Sequence, residues 1–363
     1  MNSVPLTDGA VLRPLVLPAR ADVGGAADFL DYARVRNEVF FEATGRTDDS
    51  FEPEALLPLL HSDRDQTRQQ WTIVEHGTVI GVATLNILAD SAGRSAFLTL
   101  GLLSVAWGRG IGTAAYSQLE KHAASVGVRR LMLWAEHTDG GEPRLDAPTG
   151  FGSVPLTRGA RFLVRNGYTL EQVERVSELV LDDALPEIVE ARQREAAAHA
   201  SDYDVVSWTL PTPAEHVAGY AHLKSRMSTD APDADMDMPE EFWDADRIAR
   251  HDERYLARGS TVLVTAARHL ATGELCAYTE LSAEPGIGTV THQEDTLVLA
   301  DHRGHRLGML VKTAGLRAWH GIRPDSPRVV TYNAEENRPM LSINEAIGFT
   351  PIAYEGAWKK DLT

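Results

Sequence analysis

An apolar strand that runs into a glycine-bearing turn and then into a helix occurs twice in this 363-residue chain. The first strand covers 96–105 and leads into the turn Trp-Gly-Arg-Gly-Ile-Gly at 107–112. The second covers 296–299 and leads, through 300–302, into Arg-Gly-His-Arg-Leu-Gly at 303–308. Such a turn gathers backbone N–H groups at the positive end of a helix dipole, an environment that favours a phosphate. We therefore predict that the second turn holds the pyrophosphate of a coenzyme and that the first is a degraded copy.

The two turns belong to a larger repeat, because both halves of the chain show the pattern β, α, α, β, β, β, α, β, α, β. Aligning Gly112 with Gly308 gives an offset of 308 − 112 = 196, and aligning Gly167 with Gly348 gives 348 − 167 = 181. The difference of 15 falls mostly in a loop predicted over 139–155, which is rich in Gly, Pro and Asp. The length also exceeds what a single core usually supports. The prediction is two tandem domains, 1–185 and 203–363, joined by a solvated connecting helix over 186–202.

Charge and cysteine content narrow the class of protein. The formal charge is 35 − 52 = −17, which argues against a nucleic-acid partner and is consistent with either a cationic substrate or simple solubility. Cys276 is the single cysteine, so we expect no disulfide within the chain, no thiolate zinc site, and a small buried side chain at that position. The N-terminus does not resemble a signal peptide, and the most apolar stretch, 97–108, is too short to span a bilayer. We expect a soluble cytoplasmic protein, a monomer or homodimer, with no membrane partner and no metal.

The glycine spacing argues against two common nucleotide sites. The turn at 107–112 is not Gly-x-Gly-x-x-Gly, and the Lys-Ser/Thr pair of a P-loop does not follow it. A dehydrogenase that binds NAD stays an alternative from another class of enzyme. The repeat and the missing acidic partner for a ribose both speak against it.

Two such turns in a repeated setting resemble the GNAT superfamily of acetyl-CoA-dependent N-acyltransferases, whose signature is Arg/Gln-x-x-Gly-x-Gly/Ala. Residues 303–308 match this signature except that Arg306 replaces its first Gly, which costs backbone freedom but can still fit if φ is negative there. Asn337 lies 11 residues before Gly348, at the family's Asn position, and Ile-Gly-Phe at 347–349 is similar to the family's ending. The resemblance implies an α+β fold with two tandem GNAT domains, similar in layout to mycothiol synthase-like enzymes. Each domain is then a mixed, mostly antiparallel sheet with helices on both faces.

The resemblance also implies a mechanism in which the acceptor amine directly attacks the thioester of acetyl-CoA, the co-substrate. The pantetheine arm would pair with the strand before the second turn, and the pyrophosphate would lie on the turn. The coenzyme-binding residues expected in the second half are Leu297, Val298, Leu299, Arg303, Gly304, His305, Arg306, Leu307, Gly308 and Asn337. Those of the first half are Leu102, Leu103, Gly108, Arg109, Gly110, Ile111, Gly112 and Thr113.

The general base should be a side chain that faces the acceptor cleft and loses its proton near neutral pH. Candidates are His292, Glu294 and Asp295 on one strand and Glu280 on its neighbour. Period-two alternation places His292 and Glu294 on one face and Asp295 on the other. We favour Glu294, since the family often uses a Glu on this strand.

The family's usual general acid is absent, because Asn344 occupies the position at which the family usually has Tyr, four residues before Gly348. An amide cannot protonate a leaving thiolate. Tyr332 or Tyr354 could substitute for it, or Asn344 could orient a water molecule. These alternatives stay open at this point.

The first half departs further from the family's pattern. Trp107 takes the Arg/Gln position, and Leu156 and Leu163 stand where Asn and Tyr would be, so Glu136 and His137 are its only obvious polar candidates. We predict that this half is a structural partner that can bind coenzyme, with chemistry in the second half. The acidic segment 230–246 could attract a small cationic amine or could be a solvated loop. The principal alternative to an enzyme is a sensor or scaffold that binds acyl-CoA without turnover.

Overall fold

Each half of the chain folds into strands and helices close to the predicted ones, in a computed structural model that describes residues 1–137, 141, 143–286 and 288–362. The strands are β1 Val4–Pro5, β2 Ala10–Pro14, β3 Gln66–Glu75, β4 Thr78–Leu88, β5 Ser95–Leu102, β6 Arg130–His137, β7 Arg144–Asp146, β8 Ser153–Pro155, β9 Thr169–Val180, β10 Tyr203–Thr209, β11 Thr261–His269, β12 Leu275–Ala283, β13 Thr291–Val298, β14 Arg328–Ala334 and β15 Thr350–Asp361. The helices are α1 Ala27–Thr44, α2 Pro53–Leu60, α3 Ile111–Ser125, α4 Arg158–Arg165, α5 Leu185–Ala197, α6 Ala214–Asp230, α7 Ala245–Ala257, α8 Leu307–Ile322 and α9 Arg338–Ile347.

The chain divides into two compact units whose boundaries are not the two consecutive halves of the sequence. Unit 1 comprises 1–148, 153–171 and 355–363, and unit 2 comprises 149–152 and 172–354. Unit 1 therefore takes the end of the chain as a strand, whereas most of β9 belongs to unit 2. The predicted boundary at 185 instead assigned all of β9 to the first domain and all of β15 to the second.

The sheet of unit 1 has the strand order β1-β2-β3-β4-β5-β6-β15. Its neighbouring pairs from β1 to β5 are antiparallel, and β5 and β6 are parallel. The end of β15 is held beside β6, since the Leu362 N–H donates to the Arg129 carbonyl at 2.7 Å and Arg130 pairs with Asp361 at 2.8 Å. Trp358 on β15 is fully buried in this unit.

The sheet of unit 2 has the order β9-β14-β13-β12-β11-β10, with β13 and β14 parallel and the other pairs antiparallel. Helices cover both of its faces, as the alternating side chains of β11 show, since successive residues point to opposite faces of a strand. Val262 and Val264 pack with Tyr220 of α6, whereas Leu263 packs with Leu316 of α8. The expected α+β class, with mixed and mostly antiparallel sheets, is confirmed.

Two local predictions need correction. The loop predicted over 139–155 contains a short hairpin, because β7 pairs with β8 in antiparallel register, while residues 138–140 and 142 lie outside the described part. The helix predicted to be a solvated connector is α5, and it packs against α8 in unit 2. Its Leu185, Val189 and Ala196 are buried. Its apolar residues are few, and small side chains such as alanine let it pack closely without a strong hydrophobic stripe.

Candidate active site

The parallel strands β13 and β14 of unit 2 diverge after a short pairing. Their described register joins 291–293 to 329–331 and does not extend to the end of β13. The edge of β13 from 294 to 298 therefore lies beyond the described pairing with β14 and presents backbone N–H and C=O groups. Such an edge can pair with an extended ligand as if the ligand were an added strand. The predicted pantetheine-binding segment, 297–299, lies along this edge.

The predicted phosphate turn lies where this edge ends. A 3-10 turn at Ala300–His302 leads to Arg303, and α8 begins at Leu307. Gly304 has φ of 90°, and no side chain caps the start of α8 in the described structure. The first N–H groups of a helix lack partners within the helix, so this helix start offers donors to an anion.

The negative φ that would let Arg306 fit this turn without strain is not found, because this residue has φ of 55° and ψ of 24°. In unit 1, Gly110 immediately precedes α3 with φ of 80°. The turn thus requires the left-handed region at this position, which glycine reaches without strain. Arg306 holds that conformation while its guanidinium pairs with Glu195 of α5.

Two other predicted coenzyme residues of unit 2, Arg303 and Gly308, connect this turn to its neighbours, and Asn337 lies at the start of α9. Arg303 donates from Nε to the Val298 carbonyl at 3.3 Å, which ties the turn to the end of β13. A Cβ on Gly308 would lie 3.0 Å from Cδ1 of Ile343, so α8 packs closely on α9 there. Asn337 is the N-cap of α9, and its side chain accepts from the Met340 N–H at 3.3 Å.

Unit 1 reproduces the turn with different side chains. Leu102 and Leu103 lie at the end of β5, Gly108, Arg109 and Gly110 form the turn, and Ile111, Gly112 and Thr113 open α3. Trp107 donates from Nε1 to the Leu102 carbonyl at 2.8 Å, the equivalent of the contact that Arg303 makes in unit 2. A tryptophan thus replaces arginine in tying the turn to the strand.

The charge beside the first turn differs from that beside the second. Arg109 donates to Asp8 at 2.6 Å and also pairs with Glu75, so its guanidinium binds two carboxylates. Because Arg109 is part of the turn, both carboxylates lie close to the turn. They would oppose an incoming pyrophosphate unless Arg109 were released.

A β-bulge on β13 changes the predicted orientation of the candidate bases. Thr279 pairs with Thr296 but Leu281 pairs with Gln293, so Glu294 and Asp295 both oppose Glu280. Asp295 contacts Lys224 of α6 at 2.7 Å, and Glu294 accepts from the Ser282 hydroxyl at 2.6 Å. The assignment of Asp295 to the face opposite Glu294 is therefore wrong, because the extra residue breaks period-two alternation.

The bulge completes a cluster of charged and aromatic side chains that sequence reasoning missed. The Lys224 ammonium lies 2.7 Å from Asp295 and 3.3 Å from Glu280. Tyr220 donates to Glu280, and Tyr278 donates to Asp295 at 3.0 Å. The only sequence signal was the spacing of Tyr220 and Lys224, which places them on one face of α6.

The two carboxyls of this cluster have opposite pKa shifts. Burial raises the pKa of Glu280 well above its ordinary value, and the neighbouring charge of Asp295 adds to this. Burial also works against ionisation of Asp295, but the Lys224 ammonium and the Tyr278 hydroxyl outweigh it and lower that pKa. Asp295 is thus held as a carboxylate and is a poor proton acceptor. Glu294, by contrast, is exposed to solvent.

The Asn344 side chain is held in one position by burial and a hydrogen bond. Asn344 is 1% exposed, and its Nδ2 donates to Oδ1 of Asn333 on β14 at 2.7 Å. Its Oδ1 is buried without a hydrogen-bond partner, so it could accept from a water or a ligand. Tyr332 precedes Asn333 on β14, and Tyr354 lies on β15.

The two polar candidates of unit 1 have structural partners. The His137 ring lies between Thr157, 3.0 Å from Nδ1, and the Trp358 indole, 3.3 Å from Nε2. Burial lowers the pKa of His137 to about 4. Glu136 pairs with Arg46, and burial raises the pKa of its carboxyl to about 7.

The acidic segment is partly neutralised by nearby arginines. Asp230 pairs with Arg226 and lies 3.8 Å from Arg303 of the second turn. Glu241 lies 3.2 Å from Arg247. Part of the segment is therefore folded against the protein and does not form a simple solvated loop.

Comparison with known proteins supports the class that this fold and site define. Residues 33–143, within unit 1, match the model of the acetyltransferase (GNAT) family. No curated protein matches the chain by sequence. Every helix within the described residues is too short or too polar to cross a bilayer.

Solved structures extend the likeness to both units. The fold is similar to a tandem GNAT protein from the clavulanic acid biosynthesis pathway, with a TM-score of 0.73, 23% identity, and coverage of 97% of this chain and 98% of that one. It is also similar to a GCN5-related N-acetyltransferase from Sphaerobacter thermophilus, with a TM-score of 0.62, 15% identity, and coverage of 98% and 97%. Residues 33–143 therefore match the GNAT acetyltransferase family, and the fold of the whole chain is similar to the tandem GNAT form, in agreement with the resemblance seen in its motifs.

Proposed function

We propose that unit 2 transfers an acetyl group from acetyl-CoA to a primary amine of a small, cationic acceptor. The observation that carries this proposal is the unpaired edge of β13, which ends at a helix start rich in N–H donors. A pantetheine arm and a pyrophosphate, linked in one molecule, need these two features next to each other. The cytoplasmic location and the absence of nucleic-acid and membrane partners that the sequence suggests stay predictions.

The coenzyme would lie along β13, with pantetheine on the backbone of 297–299 and pyrophosphate on the amides of 305–308. Arg303 and Arg306 supply positive charge and would exchange their contacts with Asp230 and Glu195 for the phosphates. Both arginines are about half exposed, so this exchange needs only side-chain rotation. Asn337 supports the site from the start of α9.

In the transfer step, the acceptor nitrogen forms a C–N bond with the thioester carbonyl, and the C–S bond to coenzyme A breaks. Glu294 takes the proton from the amine, since it is the exposed carboxylate on the bulge of β13. A backbone N–H near Val298 polarises the carbonyl. The leaving thiolate takes its proton from Tyr332 or from a water held by Asn344, whose Oδ1 has an unused acceptor.

The assignment of chemistry to unit 2 rests on electrostatics. In unit 1, a single arginine of the turn is shared by two carboxylates, whereas unit 2 presents two arginines. The family model nevertheless matches unit 1, so the two turns must be compared directly. Unit 1 is proposed as a structural partner that keeps the coenzyme-binding backbone.

A matched pair of substitutions tests this division. Gly308→Leu adds a side chain at the second helix start, and Gly112→Leu adds the same side chain at the first. A Cβ at these positions would first meet Cδ1 of Ile343 at 3.0 Å and Cδ1 of Leu102 at 3.2 Å, respectively, so the packing cost is similar. We expect Gly308→Leu to reduce thiol release by at least a hundredfold and Gly112→Leu to retain most of it. Loss of activity in Gly112→Leu alone, with both proteins folded, would reverse the assignment.

Asn344 in place of the usual acid favours a second candidate function, a sensor or scaffold that binds acyl-CoA without turnover. Equilibrium binding of acetyl-CoA and thiol release over a panel of amines separate the two functions. An enzyme releases coenzyme A only when a suitable amine is present. Tight binding with no release above the background for any amine in the panel would support the sensor.

A further inference from the structure

Three potential metal ligands of different chemistry meet at one end of the sheet in unit 2. They are Glu274, which precedes β12, Cys276 on β12, and His302 in the 3-10 turn before Arg303. Their carboxylate, thiol and ring-nitrogen atoms all lie within 4.8 Å of one another. Nε2 of His302 lies 3.9 Å from Oε2 of Glu274.

A second β-bulge contributes to this geometry. Ala267 pairs with Ala277, but Arg268 pairs with Leu275, so Cys276 is the extra residue on β12. Bulges re-aim side chains that a regular strand would place differently. Cys276 is fully buried, whereas Glu274 lies on the exposed hairpin and can move. The site thus combines one fixed ligand inside the protein with one adjustable ligand at its surface.

The histidine is oriented by a partner on its other nitrogen. The Tyr203 hydroxyl is hydrogen-bonded to Nδ1 of His302 at 2.8 Å. When Nδ1 carries the proton and donates to Tyr203, Nε2 presents its lone pair toward Glu274. Metal-binding histidines are usually held through their second nitrogen in this way. The contact therefore argues for a ligand on Nε2, independently of the cysteine.

We propose that Glu274, Cys276 and His302 bind one Zn²⁺ ion. Sulfur, imidazole and carboxylate together match the ligands that zinc accepts, and tetrahedral bonds of about 2.0–2.3 Å need donors about 3.5 Å apart. Rotation of the exposed Glu274 side chain can bring its carboxylate closer to the other two ligands. The fourth position is taken by water or by His269, whose ring centroid lies 5.6 Å from that of His302. The single cysteine suggested that no thiolate zinc site exists, but one thiolate is enough for a mixed ligand set.

Binding has a defined proton balance. The thiol of Cys276 releases its proton as the S–Zn bond forms, and Glu274 binds as a carboxylate. Burial raises the pKa of the free Cys276 thiol to about 11, so the metal rather than ambient pH must drive this deprotonation. The proposal does not depend on acyl transfer, because none of the three residues is assigned to the chemistry.

Metal titration of the full-length, untagged protein tests the proposal. After treatment with a chelator and its removal, the protein is titrated with Zn²⁺ alone against a chromophoric competitor, and in parallel with Co²⁺. We expect one equivalent of Zn²⁺ to bind and Co²⁺ to give a thiolate-to-metal charge-transfer band. Cys276→Ser should abolish the band, and Cys276→Ser, His302→Asn and Glu274→Gln should each weaken Zn²⁺ binding at least tenfold.

His320→Asn is the matched control, since His320 is an exposed histidine on α8 in the same unit. It should leave Zn²⁺ affinity unchanged. Circular dichroism identifies any variant that fails to fold. If a variant is lost in this way, the presence or absence of the thiolate band in the Co²⁺ spectrum of the native protein still tests the proposal. No stoichiometric Zn²⁺ uptake, a Co²⁺ spectrum without thiolate absorption, or full affinity in any of the three ligand variants would overturn the proposal.

Discussion

Trp358 offers the sharpest test of how the units are built. This residue lies five positions before Thr363, yet it is buried in unit 1 with its indole 3.3 Å from Nε2 of His137. Truncation of a buried tryptophan to alanine costs about 3–5 kcal/mol, and loss of the hydrogen bond adds about 1 kcal/mol. Trp358→Ala should therefore destabilise unit 1 by at least about 4 kcal/mol, equivalent to about a thousandfold in its opening equilibrium.

Native-state hydrogen exchange read by mass spectrometry measures this effect unit by unit. We expect amides of β2–β6 to lose protection in Trp358→Ala, although these strands are more than two hundred residues away in sequence. Amides of β10–β13 should keep their protection.

Trp319→Ala is the matched control in unit 2. Trp319 is equally buried, and its Nε1 donates to Oγ1 of Thr291 at 2.7 Å. It should produce the opposite pattern, with loss of protection in β10–β13. Exposure of unit 2 alone in Trp358→Ala would refute the assignment of the end of β15 to unit 1.

Two further predictions concern buried charges. Burial lowers the pKa of Lys312, on α8, from 10.5 to about 7, and no hydrogen bond or ion pair offsets this within the described residues. The unfolded chain binds this proton between those pH values and the folded protein does not, so native stability rises with pH there. Lys312→Met should thus be more stable than the native protein by up to about 3 kcal/mol at pH 8, as measured in denaturant titrations. This gain should shrink by about 1.4 kcal/mol for each unit by which the pH is raised. A gain that does not vary with pH would contradict the prediction. Burial raises the pKa of Glu136 from 4.5 to about 7, so unit 1 should lose stability as the pH rises through that range. Thermal melts of Glu136→Gln should lack this loss. If the melting temperatures of the native protein and the variant change with pH in parallel, the effect is excluded.

The sequence predicted much of the candidate site because its signals are local. Gly304 and Gly308 mark a turn at the start of a helix, and an apolar strand precedes them, so a phosphate site could be predicted from 14 consecutive residues, 295–308. The repeat around Gly112 then supplied the fold class. The family's pattern also located Asn337 and Asn344 at the second helix, α9, where the structure has them.

Details that depend on contacts between distant segments were not predictable. The left-handed conformation of Arg306 is set by the turn as a whole, and its side chain is held by Glu195, more than a hundred residues earlier. The position of Asp295 depends on a bulge against β12, and its charge depends on Lys224 of α6. None of these partners is marked by a local pattern.

The sequence by itself determined the two tandem repeats, the order of their elements and the two glycine-bearing turns for which a coenzyme is proposed. Only the tertiary structure decided which strand completes which sheet. The strands β9 and β15 have similar lengths and apolar content, so either could fill the last place of either sheet by local preference alone. The choice follows from long-range packing, with Trp358 buried beside His137 in unit 1 and β9 paired with β14 in unit 2.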